Sequence, residues 1–153
     1  MRFLRTDSIH RWTEGDYTVT TDRDATNLDM VYRFLMDESY WWGGRPRAAL
    51  EHVVEHSRPY TLRHDPTGEA VGFARVVTDG SWFAWIGDVL VLPEHRGGRG
   101  QFLLRCVMED LEPVRRVSLG TRDAHDFYAR FGFRAGPEYV GRSMERIDDS
   151  AGT

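Results

Sequence analysis

Residues 93–104 read PEHRGGRGQFLL. Within them, Arg96-Gly97-Gly98-Arg99-Gly100 sets three glycines beside two arginines. The apolar run Val89-Leu90-Val91-Leu92 precedes this segment. Leu103, Leu104, Val107, Met108 and Leu111 follow it at helical spacing. A strand that passes through a glycine-rich turn into a helix is a physical anion site. The first helical N–H groups lack internal acceptors, and the helix dipole adds roughly half a positive charge there. Glycine admits close backbone approach, and arginine adds charged donors. A plain turn would also tolerate glycine. The string is similar to RGG-type RNA-binding segments too, although those are repeated and disordered while this one is single and framed by regular elements. A phosphate or pyrophosphate cradle is the favoured reading.

The flanking chain alternates strands and helices. Residues 17–21 and 60–62 carry β-formers, and residues 69–78 (EAVGFARVVT) pair with 60–62 across the turn Asp65-Pro66-Thr67-Gly68. Residues 82–92 form a long apolar strand of the kind found at the centre of a sheet. Leu28, Val31, Tyr32, Leu35 and Met36 define one amphipathic helix. Ala49, Leu50, Val53 and Val54 define a second, which Pro46 starts. Residues 116–119 form a fifth strand, and Asp126–Phe131 a short helix closed by Gly132. One or two further strands are expected around Tyr139–Ile147. The order β-α-α-β-β-β-loop-α-β-α-β implies an α+β (mixed α/β) fold. Residues 1–16 are expected to form an N-terminal arm, 17–147 a single domain and 148–153 a tail.

Composition fits a soluble globular chain of 153 residues with 41% hydrophobic and 29% charged residues. The net charge of −4 disfavours general nucleic-acid binding. Cys106 is the single cysteine, which excludes an intrachain disulfide and suits a reducing compartment. Its neighbours Val107 and Met108 make it a packed thiol rather than a nucleophile. No signal core and no run of ~18 apolar residues is present, so a cytoplasmic location without membrane contact is expected.

VLVLPEHRGGRGQFLL resembles the acetyl-CoA loop of the GNAT acyltransferase superfamily. TRDAHDFYARFGF (121–133) resembles that superfamily's second landmark, a short helix carrying tyrosine and closing with Gly-Phe. ESYWWGGRPR and VGFARVVTD are similar to a bacterial subgroup of small GNAT proteins. The resemblance implies a central mixed, mostly antiparallel sheet of six to seven strands flanked by about four helices. It also implies acetyl-CoA as cofactor, its diphosphate on the backbone of Arg96, Gly97, Gly98, Arg99 and Gly100. Pantetheine would then lie along Leu90, Val91 and Leu92. The superfamily's loop commonly runs Gln/Arg-x-x-Gly-x-Gly. Counted from Arg96, this loop is one residue short, and by strict counting His95 takes the first position.

Acetyl transfer to an amine needs a neutral amine, a stabilised oxyanion and a proton for the departing thiolate. The resemblance places Tyr128 as that proton donor, in contact with the cofactor. Its phenol is protonated at neutral pH. Asp88 is the one charged residue of an eleven-residue apolar run, so it is either a base or a structural cap. His125 is the other candidate base. An N–H near Leu90 would face the oxyanion. Tyr40, Trp41, Trp42 and Trp85 are expected to wall an acceptor site, with Trp41 and Trp42 the strongest candidates. Trp82 and Trp85 are residues more often found in the core. The expected activity is transfer of acetyl from acetyl-CoA to a small-molecule amine by direct attack, in a monomer or homodimer without metal. A protein that holds CoA or a small ligand without turnover is the second reading.

Overall fold

The computed structural model describes residues 1–135 and 144–148. The chain divides into two compact units, Met1–Leu119 and Gly120–Thr153, where one domain over 17–147 was expected.

The first unit is built on a six-stranded sheet: β1 (Arg11–Glu14), β2 (Tyr17–Thr20), β3 (Arg58–His64), β4 (Glu69–Thr78), β5 (Phe83–Val91) and β6 (Arg116–Leu119). Spatial order follows chain order. Neighbours are antiparallel except β5 and β6, which run parallel and therefore need a crossover connection. The helices of this unit are α1 (Leu28–Glu38), α2 (Arg47–Glu55) and α3 (Arg99–Asp110), and α3 supplies that crossover. Sheet and helices give the α+β architecture anticipated from the element order, and the mixed, mostly antiparallel sheet that the family resemblance implies.

Local chemistry explains the elements. Asn27 Oδ1 accepts from Met30 N at 3.1 Å and caps α1. Val31 and Leu35 form its buried stripe, and Leu50 and Val54 that of α2. These four join Trp42, Phe73 and Leu90 in one core cluster. Burying each such side chain contributes about 1.5–3 kcal/mol before entropy is counted. On β4, Phe73 faces this cluster. Ala74 on the other face stands opposite Tyr60, whose hydroxyl donates to Asp110 of α3 at 2.6 Å. So α1 and α2 cover one face of the sheet and α3 the other. Central β4 is accordingly buried on both faces.

Residues 1–16 differ from a loose arm. Leu4 is buried and donates its N–H to Gly80 O at 2.8 Å. Arg11–Glu14 is paired along β2 as an edge strand. His10 and Arg58 meet the buried Asp110 carboxylate at 2.6 and 2.7 Å. Burial alone would push the Asp110 carboxyl up. The bonds from Arg58 and Tyr60, the Arg58 charge and the His10 bond outweigh it and hold the group below the usual carboxylate range. Cys106 is buried within α3, and burial pushes its thiol up to about 12, as suits a packed and unreactive sulfur.

In the second unit, α4 (His125–Ala129) is the described helix. Of the strands expected around Tyr139–Ile147, residues 139–143 lie outside the described residues, and Met144–Ile147 carry no regular structure.

Candidate active site

β5 carries an irregularity at its one acidic residue. Phe73 pairs with Leu90 and Arg75 with Gly87, so Ala74 on β4 faces both Asp88 and Val89 on β5. This is a β-bulge. Asp88 takes φ 54°, the single left-handed non-glycine residue among those described, a conformation aspartate tolerates better than bulky side chains. The bulge turns the buried Asp88 side chain onto the α1–α2 face. There Oδ2 accepts from Arg75 Nε at 2.7 Å and Oδ1 from Trp41 Nε1 at 2.9 Å. Arg75 Nη1 donates to Ser57 Oγ at 3.1 Å. Both Asp88 oxygens thus have a donor, and its charge is balanced by a guanidinium whose side chain is 17% exposed.

Beyond the bulge, β5 has no strand paired to its β6 side among the described residues. Its pairing with β6 ends at Ile86–Leu119, so residues 87–91, including Leu90 and Val91, have no β6 partner. After Leu92 a single 3-10 turn spans Pro93–His95, and α3 starts at Arg99. Gly97 and Gly98 sit at φ 100° and 93°, which only glycine adopts without strain, and nothing lies within 4 Å of where a Cβ would stand at either. The first bond of α3 is Phe102 N to Gly98 O. The N–H groups of Arg99, Gly100 and Gln101 therefore lack helical acceptors.

The two arginines are turned toward the loop itself. Arg96 Nε donates to Val91 O at 3.1 Å, and Arg99 Nη1 donates to Gly97 O at 2.6 Å. Arg99 also stacks over the Tyr17 ring at 4.6 Å, while the Tyr17 hydroxyl meets His95 Nδ1 at 2.9 Å. His95 closes the 3-10 turn, and counted from it the six residues His95–Gly100 span the length of the Gln/Arg-x-x-Gly-x-Gly pattern with histidine in place of its first residue.

The aromatic residues divide. Tyr40 and Trp41 are exposed and stack edge to face at 5.2 Å. Trp42 is 6% exposed and donates to Arg45 O, so it is a core residue and not an acceptor wall. It was placed wrongly because the packing of α1 against α2 buries it. Trp82 and Trp85 are exposed, since alternation along β5 buries Ala84 and Ile86 instead. Arg115 covers the Trp82 ring at 4.9 Å. Arg75 and Ser57 were missed. The signal for Arg75 was a lone charge within the apolar run AVGFARVVT (70–78), the same signal that singled out Asp88. A cavity bounded by Leu4, His10, Trp12 and Asp110 lies beneath the first dozen residues and shares none with the glycine–arginine loop.

In the second unit, His125 is exposed at the head of α4. Tyr128 is half-buried, with Phe127 and Phe133 packed edge to face at 5.1 and 6.0 Å. Gly132 at φ 86° closes the turn.

Comparison with known proteins adds to this geometry. The model of the acetyltransferase (GNAT) family matches residues 7–133. A Gibberella zeae protein provisionally named an acetyltransferase is 34% identical over 152 residues, covering 85% of this chain and 86% of that one. A crystal structure from Xanthomonas campestris pv. campestris, provisionally assigned as a GNAT-family acetyltransferase, is 37% identical with a TM-score of 0.81, covering 91% of this chain and 98% of that one. A GNAT acetyltransferase from Elizabethkingia anophelis, solved with acetyl-CoA bound, shares the fold at 16% identity and TM-score 0.61, covering 90% and 91%.

Proposed function

The chain belongs to the acetyltransferase (GNAT) family, and on that premise we propose that it moves an acetyl group from acetyl-CoA to the amine of a small molecule by direct attack. The observation that carries the cofactor is the turn at Gly97 and Gly98. Two left-handed glycines with open space beside them lead into three outward N–H groups at the head of a twelve-residue helix. A diphosphate suits that donor set, and the edge of β5 at 87–91, which β6 leaves unpaired, suits an extended amide chain beside it. When bound, acetyl-CoA supplies the acetyl group as a thioester and leaves as a thiol.

The remaining steps fall to this chain's side chains. Arg96 and Arg99 hold the loop in shape through Val91 O and Gly97 O, so the backbone N–H groups are pre-aimed. Tyr128 keeps the role of proton donor to the sulfur. Asp88, with one donor on each oxygen, suits the positioning of Trp41 and Arg75. The exposed imidazole of His125 is then the better acceptor for the proton of the attacking amine. Among the described residues no helix is long and apolar enough to cross a membrane, in keeping with a small-molecule acceptor met in water, and a cytoplasmic location remains the favoured setting.

Calorimetric titration with acetyl-CoA, followed by a thiol-release assay over a panel of primary amines, tests this reading. Saturable binding with amine-dependent thiol release supports it. Correctly folded protein that ignores millimolar acetyl-CoA sinks it.

A further inference from the structure

On the α1–α2 face of the sheet, two nitrogen donors converge on a point of bare backbone. A Cβ at Gly87 would stand 3.4 Å from Arg75 Nη2 and 3.7 Å from Trp85 Nε1. Neither nitrogen has an acceptor among the described residues. Gly87 is not one of the left-handed glycines, so its backbone makes no demand for glycine. What the missing side chain provides is room beside the two donors. Glycine inside a strand otherwise weakens it and marks a place of close approach.

Arg75 is an unusual residue to find there. Its guanidinium is largely buried, and burial of a charge requires partners. Asp88 takes Nε and Ser57 takes Nη1, which leaves Nη2 over the gap. Asp88 is already committed on both oxygens and keeps the guanidinium fixed in orientation. An incoming anion would complete the set. Trp41 and Trp85, each partly exposed, flank Asp88 and Gly87 and supply ring surface for an apolar body.

The geometry points to an anion subsite formed by Arg75 Nη2 and Trp85 Nε1 at Gly87, which selects an acceptor amine that also carries a carboxylate or phosphate-type group. This rests on the acetyltransferase reading for its amine, but the subsite itself makes no use of acetyl-CoA. Arg75 and Trp85 would then be specificity-determining residues, and Asp88 the residue that positions Arg75.

The test is calorimetric titration of the whole chain, without acetyl-CoA, with three probes that differ in one group: phenethylamine, phenylalanine and the phosphonate analogue of phenylalanine. Wild type should bind at least one acidic probe about 10- to 100-fold tighter than phenethylamine, the range for a hydrogen bond to a charged group. The carboxylate and phosphonate arms identify which anion fits. Gly87→Val fills the gap and leaves Arg75 and Asp88 in place, so it should abolish the preference. Trp85→Phe keeps an aromatic ring, though a smaller one, and removes the Nε1 donor, so it should reduce the preference several-fold. Melting temperatures verify that both variants fold, which avoids reliance on Arg75 variants that leave Asp88 unpaired. Equal affinity for the three probes, binding of none at millimolar concentration, or an undiminished preference in folded Gly87→Val each overturns the subsite. A separate titration with acetyl-CoA reads the acetyltransferase assignment independently, so the two failures are distinguishable.

Discussion

His10 Nδ1 lies 2.6 Å from Asp110 Oδ1 and ties the first ten residues to the last turn of α3. Arg58 and Tyr60 reach the other oxygen from β3 at 2.7 and 2.6 Å. The folded Asp110 carboxyl is held below its unfolded value of about 3.9. Its contribution to stability is therefore complete above that value and is lost as pH falls through the folded pKa. Asp110→Asn should cost about 3–5 kcal/mol, because the Arg58 charge is left buried without its partner. It should also flatten the acid limb of the stability curve below about pH 4. Denaturant unfolding of both proteins across pH 2–7 (about the range that brackets a carboxylate) checks this, and parallel acid limbs would remove Asp110 as the cause.

The glycine–arginine turn gives a second expectation. Arg99→Ala removes both the bond to Gly97 O and the stacking on Tyr17, so acetyl-CoA affinity should fall by about 1.5–3 kcal/mol. Arg96→Ala frees the turn from Val91 O and should weaken binding by about 1 kcal/mol. Gly98→Ala forces a side chain to φ 93° and should lower stability by about 1–2 kcal/mol. Titration calorimetry and thermal melts report the two effects separately. Wild-type affinity in both arginine variants would mean that the turn holds its shape without them.

The two candidate bases are separable by pH profile. His125→Gln should remove the low-pH limb of kcat/KM at little cost in melting temperature, since His125 is exposed. Asp88→Asn should lower the melting temperature through the lost Arg75 ion pair and leave the limb in place. The reverse pattern would return the proton-accepting role to Asp88.

Tyr128→Phe keeps the ring that packs on Phe127 and Phe133 and removes only the hydroxyl. Turnover should fall about 10²–10⁴-fold with acetyl-CoA affinity unchanged. Turnover at the wild-type rate would assign the proton on sulfur to another group.

The sequence carried the parts of this molecule that depend on local pattern. β4 and β6 begin and end where alternation and turn residues place them, because strand and turn signals are encoded within a few residues. The glycine–arginine turn was legible for the same reason. Strand β1 was not, since RWTE is an exposed edge segment with no apolar face to announce it. The burial of Trp42 and the exposure of Trp85 follow from how far α1 and α2 extend over the sheet, which no short window records. Asp88 was visible as an isolated charge, but its partner Arg75 lies on a neighbouring strand opposite Gly87, and the bulge turns the Asp88 carboxylate toward it.

Strand β1 has a consequence of a different kind. All four residues of β2 are buried, while β1 offers solvent an edge bearing Arg11 and Glu14. Charged edge residues discourage another chain from adding itself to a sheet. A chain shortened to begin at Tyr17 would exchange that guarded border for the bare hydrogen-bonding edge of β2. Two such molecules could satisfy it by pairing strand to strand. The first sixteen residues thus cover the β2 edge, and their removal should raise the tendency of the chain to pair with copies of itself.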